Sequence, residues 1–422
     1  MGCDMQYSNT IEITAPQALQ ARIDLPASKS ISNRALIINA LSRSEFQPEN
    51  LSDCDDTRVM VAALHDMPEV IDIGAAGTAM RFLTAYLSVV PGTHVITGTE
   101  RMRHRPIGVL VDALRQLGAH IEYEGEEGFP PLRITGNPGL QGGSLTMLGN
   151  VSSQYISALL MIGPTLGQGL RLSLQGDIVS RPYLDMTVAM MREFGAQVDW
   201  ESESTLYVSP QPYQPRPYVI ENDWSAASYW YEMVALTADE HAEILLPRLY
   251  ENSLQGDKMV AMVYNDLGVQ TEFICDAQGG SAVRLTKNGE HCRFFEYGFK
   301  RIPDLAQTVA VTLCMAHTPF SMTGLQTLRI KETDRIAALQ AELLKLGCRV
   351  EAKADALDWG CEKTEVEEAP AIATYDDHRM AMAFAPACLR VPCIRIQHPE
   401  VVSKSYPTYW EDLQKAGFTI CS

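Results

Sequence analysis

The chain has 422 residues, which predicts two or three domains, and 46% of them are hydrophobic, enough for large cores. The net charge of −18 excludes a broadly basic surface of the kind that binds nucleic acid or an anionic membrane. The ten cysteines are scattered and form no C-x-x-C pair, so no metal, cluster or redox-dithiol site is predicted. Residues 1–6 lack the order of a signal peptide and no apolar run could span a bilayer, which predicts a cytosolic protein.

The first predicted helix begins near residue 28 and continues into the apolar stretch 35–38. Ser28 and Ser30 can cap its first turn and leave backbone N–H groups free for an anion. Lys29 and Arg34 add full charges to the positive end of the helix dipole. No G-x-x-x-x-G-K-[ST] sequence occurs, so the pattern predicts phosphate binding without a nucleotide-binding P-loop.

Polar residues mark this and five further helix starts in chain order. They are Lys29, Gly77-Thr78, Ser152-Ser153, Asp223-Trp224-Ser225, Pro303-Asp304 and Asp376-Asp377-His378. The intervals between consecutive starts, taken at Lys29, Gly77, Ser152, Asp223, Asp304 and Asp377, are 48, 75, 71, 81 and 73 residues. Near-equal intervals predict six repeats of one α/β unit, of which the first is shortened.

A phrase in which glycine closes a helix and opens a strand also recurs. Glycine supplies the left-handed conformation past a helix end, and the alternation of apolar and polar residues that follows is typical of a half-buried strand. The phrase occupies residues 117–122, 194–199, 267–272 and 346–351, with a degenerate copy at 415–420.

Cations lie near the predicted helix starts, whereas helix stability alone favours cations at C-termini. The cations in question are Lys29, Arg34, Arg105, Arg181, Lys331, Arg335, Arg379 and Lys404. This placement indicates an anionic ligand.

The segment 328–335 carries the charges that are most informative about chemistry. Lys331, Glu332 and Arg335 have helical spacing, so we expect them to converge on one region at the start of the helix that continues through residues 337–339. Two cations that flank a carboxylate suit an anionic substrate from which a proton must also be moved. A helix stabilised by local ion pairs is the alternative interpretation of this segment alone.

Together, nine motifs in order resemble the enolpyruvyl transferases, and within that family the branch that acts in the shikimate pathway. The motifs are residues 25–34, 76–81, 101–108, 151–154, 180–183, 223–229, 302–304, 331–335 and 377–382. The resemblance implies two lobes, each an inside-out α/β barrel of three repeats, with the active site in the cleft between them. The lobes would be 28–221, and 1–27 together with 222–422.

The implied reaction transfers the enolpyruvyl group of phosphoenolpyruvate to the 5-hydroxyl of shikimate-3-phosphate by addition and elimination through a tetrahedral intermediate, releasing phosphate. No cofactor, nucleic acid or membrane partner is implied. A monomer is expected, because two lobes that close on two ligands can form a complete site within one chain.

The resemblance also implies roles for individual residues. Asp304 would accept the 5-hydroxyl proton, Glu332 would handle the proton at the methylene carbon, and Lys29 would share the acid–base work. Phosphoenolpyruvate would be bound by Lys29, Gly77, Arg105, Gln154, Arg335, His378, Arg379 and Lys404. Shikimate-3-phosphate would be bound by Lys29, Ser30, Arg34, Ser152, Ser153, Gln154, Ser180, Tyr183, Asp304 and Lys331. His378 lies in a first helical turn, where a simple capping role is the alternative.

Some residues depart from the family pattern. Ala75 and Thr327 stand where asparagine is usual, and Phe82 replaces a proline near Gly77, the glycine against which the inhibitor glyphosate packs in the family. The nearest alternative is UDP-N-acetylglucosamine enolpyruvyl transferase, which normally uses a loop cysteine as acid, but no cysteine occurs between residues 55 and 274. A non-catalytic anion-binding protein on the same fold is the other alternative, and the joint presence of Lys29, Asp304 and Glu332 argues against it.

Overall fold

The computed structural model describes residues 9–275 and 279–422. Residues 1–6, interpreted above as lacking a signal peptide, lie outside the described residues. By its internal contacts the chain divides into two compact units. The N-terminal unit comprises residues 27–221, and the C-terminal unit comprises the chain up to residue 26 and from residue 222 onward.

Thirteen α-helices and twenty strands are formed by the described residues. The helices are α1 Lys29–Leu41, α2 Asp55–Asp66, α3 Gly77–Val89, α4 Glu100–Arg103, α5 Gly108–Gln116, α6 Ser153–Ile162, α7 Arg181–Glu193, α8 Trp224–Leu236, α9 Val260–Asn265, α10 Ala306–Met315, α11 Arg335–Lys345, α12 His378–Phe384 and α13 Tyr409–Lys415. The strands are β1 Thr10–Thr14, β2 Gln20–Arg22, β3 Val70–Asp72, β4 Gly92–Thr97, β5 His120–Tyr123, β6 Leu132–Gly136, β7 Gly143–Leu148, β8 Leu170–Gln175, β9 Val198–Ser202, β10 Thr205–Val208, β11 Glu243–Pro247, β12 Val269–Cys275, β13 Ser281–Lys287, β14 Phe295–Gly298, β15 Phe320–Thr323, β16 Glu351–Ala352, β17 Leu357–Trp359, β18 Ala371–Ile372, β19 Ile394–Gln397 and β20 Thr419–Cys421.

The strands form five four-stranded sheets that share one topology. In each sheet the first pair of neighbours is parallel and the next two pairs are antiparallel. The orders are β3-β4-β6-β5 and β7-β8-β10-β9 in the N-terminal unit, and β2-β11-β13-β12, β14-β15-β17-β16 and β18-β19-β1-β20 in the C-terminal unit. Five sheets with one topology confirm the predicted internal repeat.

The recurring glycine phrase begins the fourth strand of every sheet. Its glycines have φ between 79° and 98°, the left-handed region in which a side chain is strained. Each ends an amphipathic helix and is followed by an edge strand, which is β5, β9, β12, β16 or β20. The prediction that the phrase ends a helix and begins a strand is therefore confirmed in all five copies.

All six predicted helix starts begin helices that are buried along most of their length. These helices are α1, α3 and α6 in the N-terminal unit and α8, α10 and α12 in the C-terminal unit; α10 starts after the single 3₁₀ turn Pro303–Leu305 that carries Asp304. Every residue of α3, α10 and α12 is buried. Helices form the interior, and along the chain a sheet follows the buried helices of each complete repeat. The predicted fold class, an inside-out α/β fold of repeated units, is therefore confirmed.

The shortened first repeat consists of α1 and α2 without a sheet of its own. Within the described residues no strand lies between these helices, and the connection contributes one isolated bridge, from Glu49 to Val219. The strand that follows, β3, belongs to the sheet of the second repeat. None of the described helices has both the length and the apolar composition needed to cross a membrane.

Candidate active site

The start of α1 places three of the predicted residues of the N-terminal unit. Ser28 is the N-cap, and its hydroxyl accepts a hydrogen bond from the Ile31 backbone N–H at 3.4 Å. Lys29 is the first helical residue, and its Nζ lies 3.7 Å from Asp56 Oδ2. The Ser30 carbonyl accepts a 2.9 Å hydrogen bond from Arg34. The lysine and the serine therefore lie at the half-buried start of a buried helix, where the sequence predicted a helix start.

Arg34 is buried and connects α1 to two other helices. Its guanidinium donates to Thr187 Oγ1 of α7 at 2.7 Å and to Ser157 Oγ of α6 at 3.1 Å. The guanidinium carbon lies 5.3 Å from the ring centroid of Phe82 and 5.9 Å from that of Tyr183. Burial lowers the pKa of Arg34 to about 10, which still leaves it cationic at neutral pH. Phe82, which departs from the family pattern, thus packs against Arg34, a residue predicted to bind shikimate-3-phosphate.

Gly77, the first residue of α3, lies against Arg105. A β-carbon built at Gly77 would be 2.7 Å from Arg105 Nη1, so the absence of a side chain lets the guanidinium approach the helix start. Gln154 Nε2 donates to Thr78 Oγ1 at 3.2 Å, which links the starts of α3 and α6. Two helix N-termini and one arginine are therefore brought together in this part of the N-terminal unit.

The other three predicted serines of the N-terminal unit also lie at helix starts. Ser152 caps α6 by accepting from the Gln154 N–H at 3.4 Å, and Ser153 is the first helical residue. Ser180 precedes α7 in a left-handed conformation with φ of 56°, and its side chain makes no capping hydrogen bond. This backbone conformation is uncommon for a non-glycine residue.

In the C-terminal unit, seven charged residues form one connected group, which we name the carboxylate–cation cluster. Its members are Asp304, Lys331, Glu332, Arg335, Asp377, Arg379 and Lys404. Asp304 Oδ1 lies 3.0 Å from Arg335 Nη1 and 3.4 Å from Lys331 Nζ, while its Oδ2 lies 3.3 Å from Arg379 Nη2. Asp304 is therefore surrounded by three cations.

Arg335 is the centre of this cluster and is 1% exposed. It contacts Glu332 at 2.8 Å and Asp377 at 2.7 Å, in addition to Asp304. Glu332 also lies 3.4 Å from Lys404 Nζ. One guanidinium thus positions three carboxylates, because its planar fork can donate in several directions.

The predicted placement of Lys331 and Glu332 within a helix is wrong. Asp334 caps α11 by accepting from the Ala337 N–H, so the helix begins only at Arg335. Lys331 and Glu332 lie between the 3₁₀ helix Gln326–Ile330 and α11. They still converge with Arg335, but through the turn before the helix rather than along a helical face.

The cluster changes the acidity of its members. Burial alone would raise the pKa of Asp304, but the charges of Arg379, Lys331 and Arg335 outweigh burial and hold it well below its usual range. Burial would likewise lower the pKa of Arg335, and Asp377 with Glu332 and Asp304 raises it instead. At neutral pH Asp304 is therefore an anion and Arg335 a cation.

Two further residues of the C-terminal unit, His378 and Asp257, complete the surroundings. His378 is 2% exposed in the first turn of α12, with its Nδ1 3.8 Å from Asp377 Oδ1. The sequence analysis placed Asp377 in a motif but gave it no role in the site, although an aspartate at a helix start predicts a cap. Asp257 was not predicted at all. Asp257 is a buried carboxyl that accepts a hydrogen bond from Ser225. Among residues 9–275 and 279–422, no group of three or more His, Cys, Asp or Glu is placed to hold a metal ion.

Comparisons with known proteins show the family to which the chain belongs. The sequence model of EPSP synthase (3-phosphoshikimate 1-carboxyvinyltransferase) matches residues 13–69 and 66–413. The chain belongs to the EPSP synthase family. A 3-phosphoshikimate 1-carboxyvinyltransferase of Bacteroides fragilis is 57% identical over 409 residues, covering 97% of this chain and 98% of that protein. One from a Sulfurovum species is 36% identical over 434 residues, covering 96% and 99%.

Solved structures give the same fold. An EPSP synthase of Acinetobacter baumannii superposes with a TM-score of 0.77 at 21% identity, covering 98% of this chain and all of that one. A second structure from the same organism has a TM-score of 0.76 at 22% identity. At this identity the likeness shows the fold alone.

Membership of the EPSP synthase family does not favour the UDP-N-acetylglucosamine alternative, and the one cysteine of the N-terminal unit agrees. Cys54 is fully buried, and burial raises the pKa of its thiol. A thiol with no exposed surface cannot reach a substrate to give it a proton.

Proposed function

We propose that this member of the EPSP synthase family transfers the enolpyruvyl group of phosphoenolpyruvate to the 5-hydroxyl of shikimate-3-phosphate, with release of phosphate. The observation that carries the proposal is the carboxylate–cation cluster, in which Asp304 and Glu332 both contact Arg335. Asp304 also contacts Lys331 and Arg379, whereas Glu332 also contacts Lys404. The reaction needs a base for the hydroxyl, an acid for the methylene carbon and charges that hold two anionic substrates. The cluster offers all three kinds of group.

Phosphoenolpyruvate carries a phosphate and a carboxylate that must be neutralised. We assign Arg335, His378, Arg379 and Lys404 of the C-terminal unit to this substrate, with Lys29, Gly77, Arg105 and Gln154 of the N-terminal unit. Arg335 already contacts three carboxylates, so its main contribution is to hold them in place. Arg379 and Lys404 are slightly exposed and supply charge at the surface of the cluster.

Shikimate-3-phosphate is assigned to the helix starts of the N-terminal unit. Ser152, Ser153 and Gln154 offer hydroxyl, amide and backbone N–H groups at the start of α6, which suits a phosphate. The remaining ligands are Lys29, Ser30, Arg34, Ser180 and Tyr183, together with Lys331 and Asp304 of the C-terminal unit. The division of the chain at residues 26/27 and 221/222 supports an assignment of lobes to 28–221 and to the rest of the chain.

Chemistry starts when the methylene carbon of phosphoenolpyruvate is protonated, which leaves a cationic C2. The 5-hydroxyl oxygen bonds to C2 as Asp304 accepts its proton, and the tetrahedral adduct then loses phosphate and a methyl proton. The low pKa of Asp304 in the free protein makes it a weak base. Substrate anions that neutralise Lys331 and Arg379 would raise this pKa, so Asp304 becomes a stronger base when the substrates are bound.

The Glu332→Gln substitution tests the proton transfer at the methylene carbon. The amide keeps the size of the side chain but cannot exchange a proton, so we expect kcat to fall by about 10²- to 10³-fold. In D₂O, the rate at which deuterium enters the methylene group of the product should fall in parallel with kcat, as measured by NMR. The control is Glu342→Gln, the same change at a buried, lysine-paired glutamate of α11, which should leave both quantities close to wild type. Normal deuterium incorporation by the Glu332 variant would remove Glu332 from this step.

The Phe82→Leu substitution tests the positioning of Arg34. Loss of the ring removes a cation–π contact, which is worth about 0.5 to 2 kcal/mol, so we expect the KM for shikimate-3-phosphate to rise about 2- to 30-fold with little change in the KM for phosphoenolpyruvate. Phe194→Leu, in the same unit and away from Arg34, is the control for loss of a buried ring. Equal changes in both KM values would contradict a specific effect on Arg34.

Phosphate release measures the proposed function. Purified protein is given phosphoenolpyruvate with shikimate-3-phosphate, with UDP-N-acetylglucosamine, or with no acceptor. We expect release only with shikimate-3-phosphate; release only with the nucleotide sugar would instead support the alternative transferase, and no release would support a non-catalytic protein. One chain carries every assigned group, which supports a monomer. A cytosolic location and small-molecule substrates are part of the same proposal.

A further inference from the structure

Asp257 is a buried carboxyl group that the proposed reaction does not use. It lies in the 3₁₀ helix Gly256–Met259 and is 3% exposed. Ser225, in the first turn of α8, donates a hydrogen bond from its hydroxyl to Asp257 Oδ2. Asp257 Oδ1 is buried, and no described residue hydrogen-bonds to it. A carboxylate with one unsatisfied buried oxygen is much costlier than the neutral acid, so this setting favours a bound proton.

The charges that act on Asp257 come from the elements packed around it. Asp304, in the turn before α10, and Asp223, the N-cap of α8, disfavour a further negative charge, while Arg379 of α12 favours it. Of the cluster members, Asp304 and Arg379 are therefore the two that sense the state of Asp257. Lys258, on its own 3₁₀ helix, is half-buried and donates to the Glu251 carbonyl instead.

The charge balance of the carboxylate–cation cluster makes this state consequential. The cluster contains four cations (Lys331, Arg335, Arg379 and Lys404) and three carboxylates (Asp304, Glu332 and Asp377), so one positive charge is in excess. A neutral Asp257 preserves that excess for an anionic substrate. An ionised Asp257 would cancel it next to Arg379.

We propose that Asp257 is a positioning residue that holds a proton in the active form of the enzyme and, when it ionises, weakens the binding of phosphoenolpyruvate at Arg379. This inference rests on the proposed function. Burial, followed by the charge of Asp304, raises the pKa of Asp257 from 3.8 to about 7, so the change falls within the physiological range. The effect operates through Arg379 and Asp304, and Asp257 itself touches no substrate.

The first test compares the KM for phosphoenolpyruvate in the wild type and in Asp257→Asn between pH 6 and 8.5. The phosphate groups of the substrates titrate equally with both proteins, so the ratio of the two KM values isolates Asp257. We expect the wild-type KM to rise about fivefold relative to that of the variant, with a midpoint near pH 7, because one unit charge is added close to Arg379. A ratio that stays constant over this range would overturn the proposal.

Two further variants keep the test specific. Ser225→Ala removes a hydrogen bond that favours the ionised form, so the midpoint should move above pH 7. Asp412→Asn makes the same chemical change at another buried aspartate of the C-terminal unit, one that is paired with Tyr406, Thr408 and Lys415. Its KM should follow the wild-type pH dependence; loss of that dependence in Asp412→Asn would overturn the assignment to Asp257.

Thermal unfolding without substrate tests the proton on Asp257 independently of turnover. Because folding raises the pKa of Asp257 from 3.8 to about 7, its contribution to stability is fully present below pH 3.8 and is lost as the pH rises to about 7. The Tm of the wild type minus that of Asp257→Asn should therefore fall between pH 5 and 7 and then stay level. A difference that is level from pH 5 overturns the proposal. A wild type without turnover would overturn the proposed function, while this comparison would still decide whether Asp257 titrates.

Discussion

Asp304→Asn is expected to lower kcat by about 10³-fold, the range for loss of a positioned general base, while the KM for phosphoenolpyruvate stays the same or falls. Asparagine fills the same space but cannot accept the 5-hydroxyl proton. The carboxylate also occupies Lys331, Arg335 and Arg379 in the free protein, so its loss frees positive charge for the substrate. Steady-state kinetics with each substrate varied in turn measures both effects.

A lower kcat together with an unchanged or lower KM separates a chemical role of Asp304 from general damage to the protein. Asp358→Asn is a matched control, because Asp358 is also a lysine-paired aspartate of the C-terminal unit but belongs to β17. Its kcat should remain within about a factor of two of the wild type, as for most surface substitutions. An Asp304→Asn variant with near-normal kcat would show that another group accepts the 5-hydroxyl proton.

Arg335→Met is expected to destabilise the C-terminal unit strongly. It removes the contact of one buried guanidinium with Asp304, Glu332 and Asp377, of which Asp377 is fully buried. Removing one partner of a buried ion pair typically costs about 3 to 5 kcal/mol, because the remaining charges are left uncompensated. The free energy of unfolding in urea should fall by about this amount, and turnover should be lost because Asp304 and Glu332 are no longer held.

The control for this prediction is an arginine whose ion pair is exposed. Arg349 pairs with Glu362 at 3.0 Å, and both side chains are more than half exposed. Arg349→Met should change the free energy of unfolding by less than about 1 kcal/mol, as is usual for surface pairs. Similar losses in the two variants would contradict the central position of Arg335.

Local signals explain why much of the fold could be predicted from the sequence. The glycine phrase specifies a helix end and the strand after it within six residues, so each copy identifies one edge strand without reference to the rest of the chain. The six polar helix starts are equally local, because a capping side chain acts within one turn. The shortening of the first repeat followed from the short interval between Lys29 and Gly77, but the absence of its entire sheet was not predicted.

The contacts of the candidate site were less predictable because they join distant parts of the chain. Arg335 contacts Asp304 and Asp377, which are 31 and 42 residues away, and no spacing rule pairs them. The helix assigned to Lys331 and Glu332 was wrong because Asp334, a capping residue, starts α11 later than the charge spacing suggested. Asp257 was missed because burial of a lone aspartate depends on the elements packed around it and leaves no local pattern.

The identity of the product tests the central claim most directly. The wild type is incubated with equimolar phosphoenolpyruvate and shikimate-3-phosphate, and the mixture is analysed by mass spectrometry and by ³¹P NMR. We expect a product in which an enolpyruvyl group replaces one hydroxyl hydrogen of shikimate-3-phosphate, formed together with an equal amount of inorganic phosphate. Hydrolysis of phosphoenolpyruvate with unchanged shikimate-3-phosphate, or no reaction of either compound, would contradict the proposed transfer.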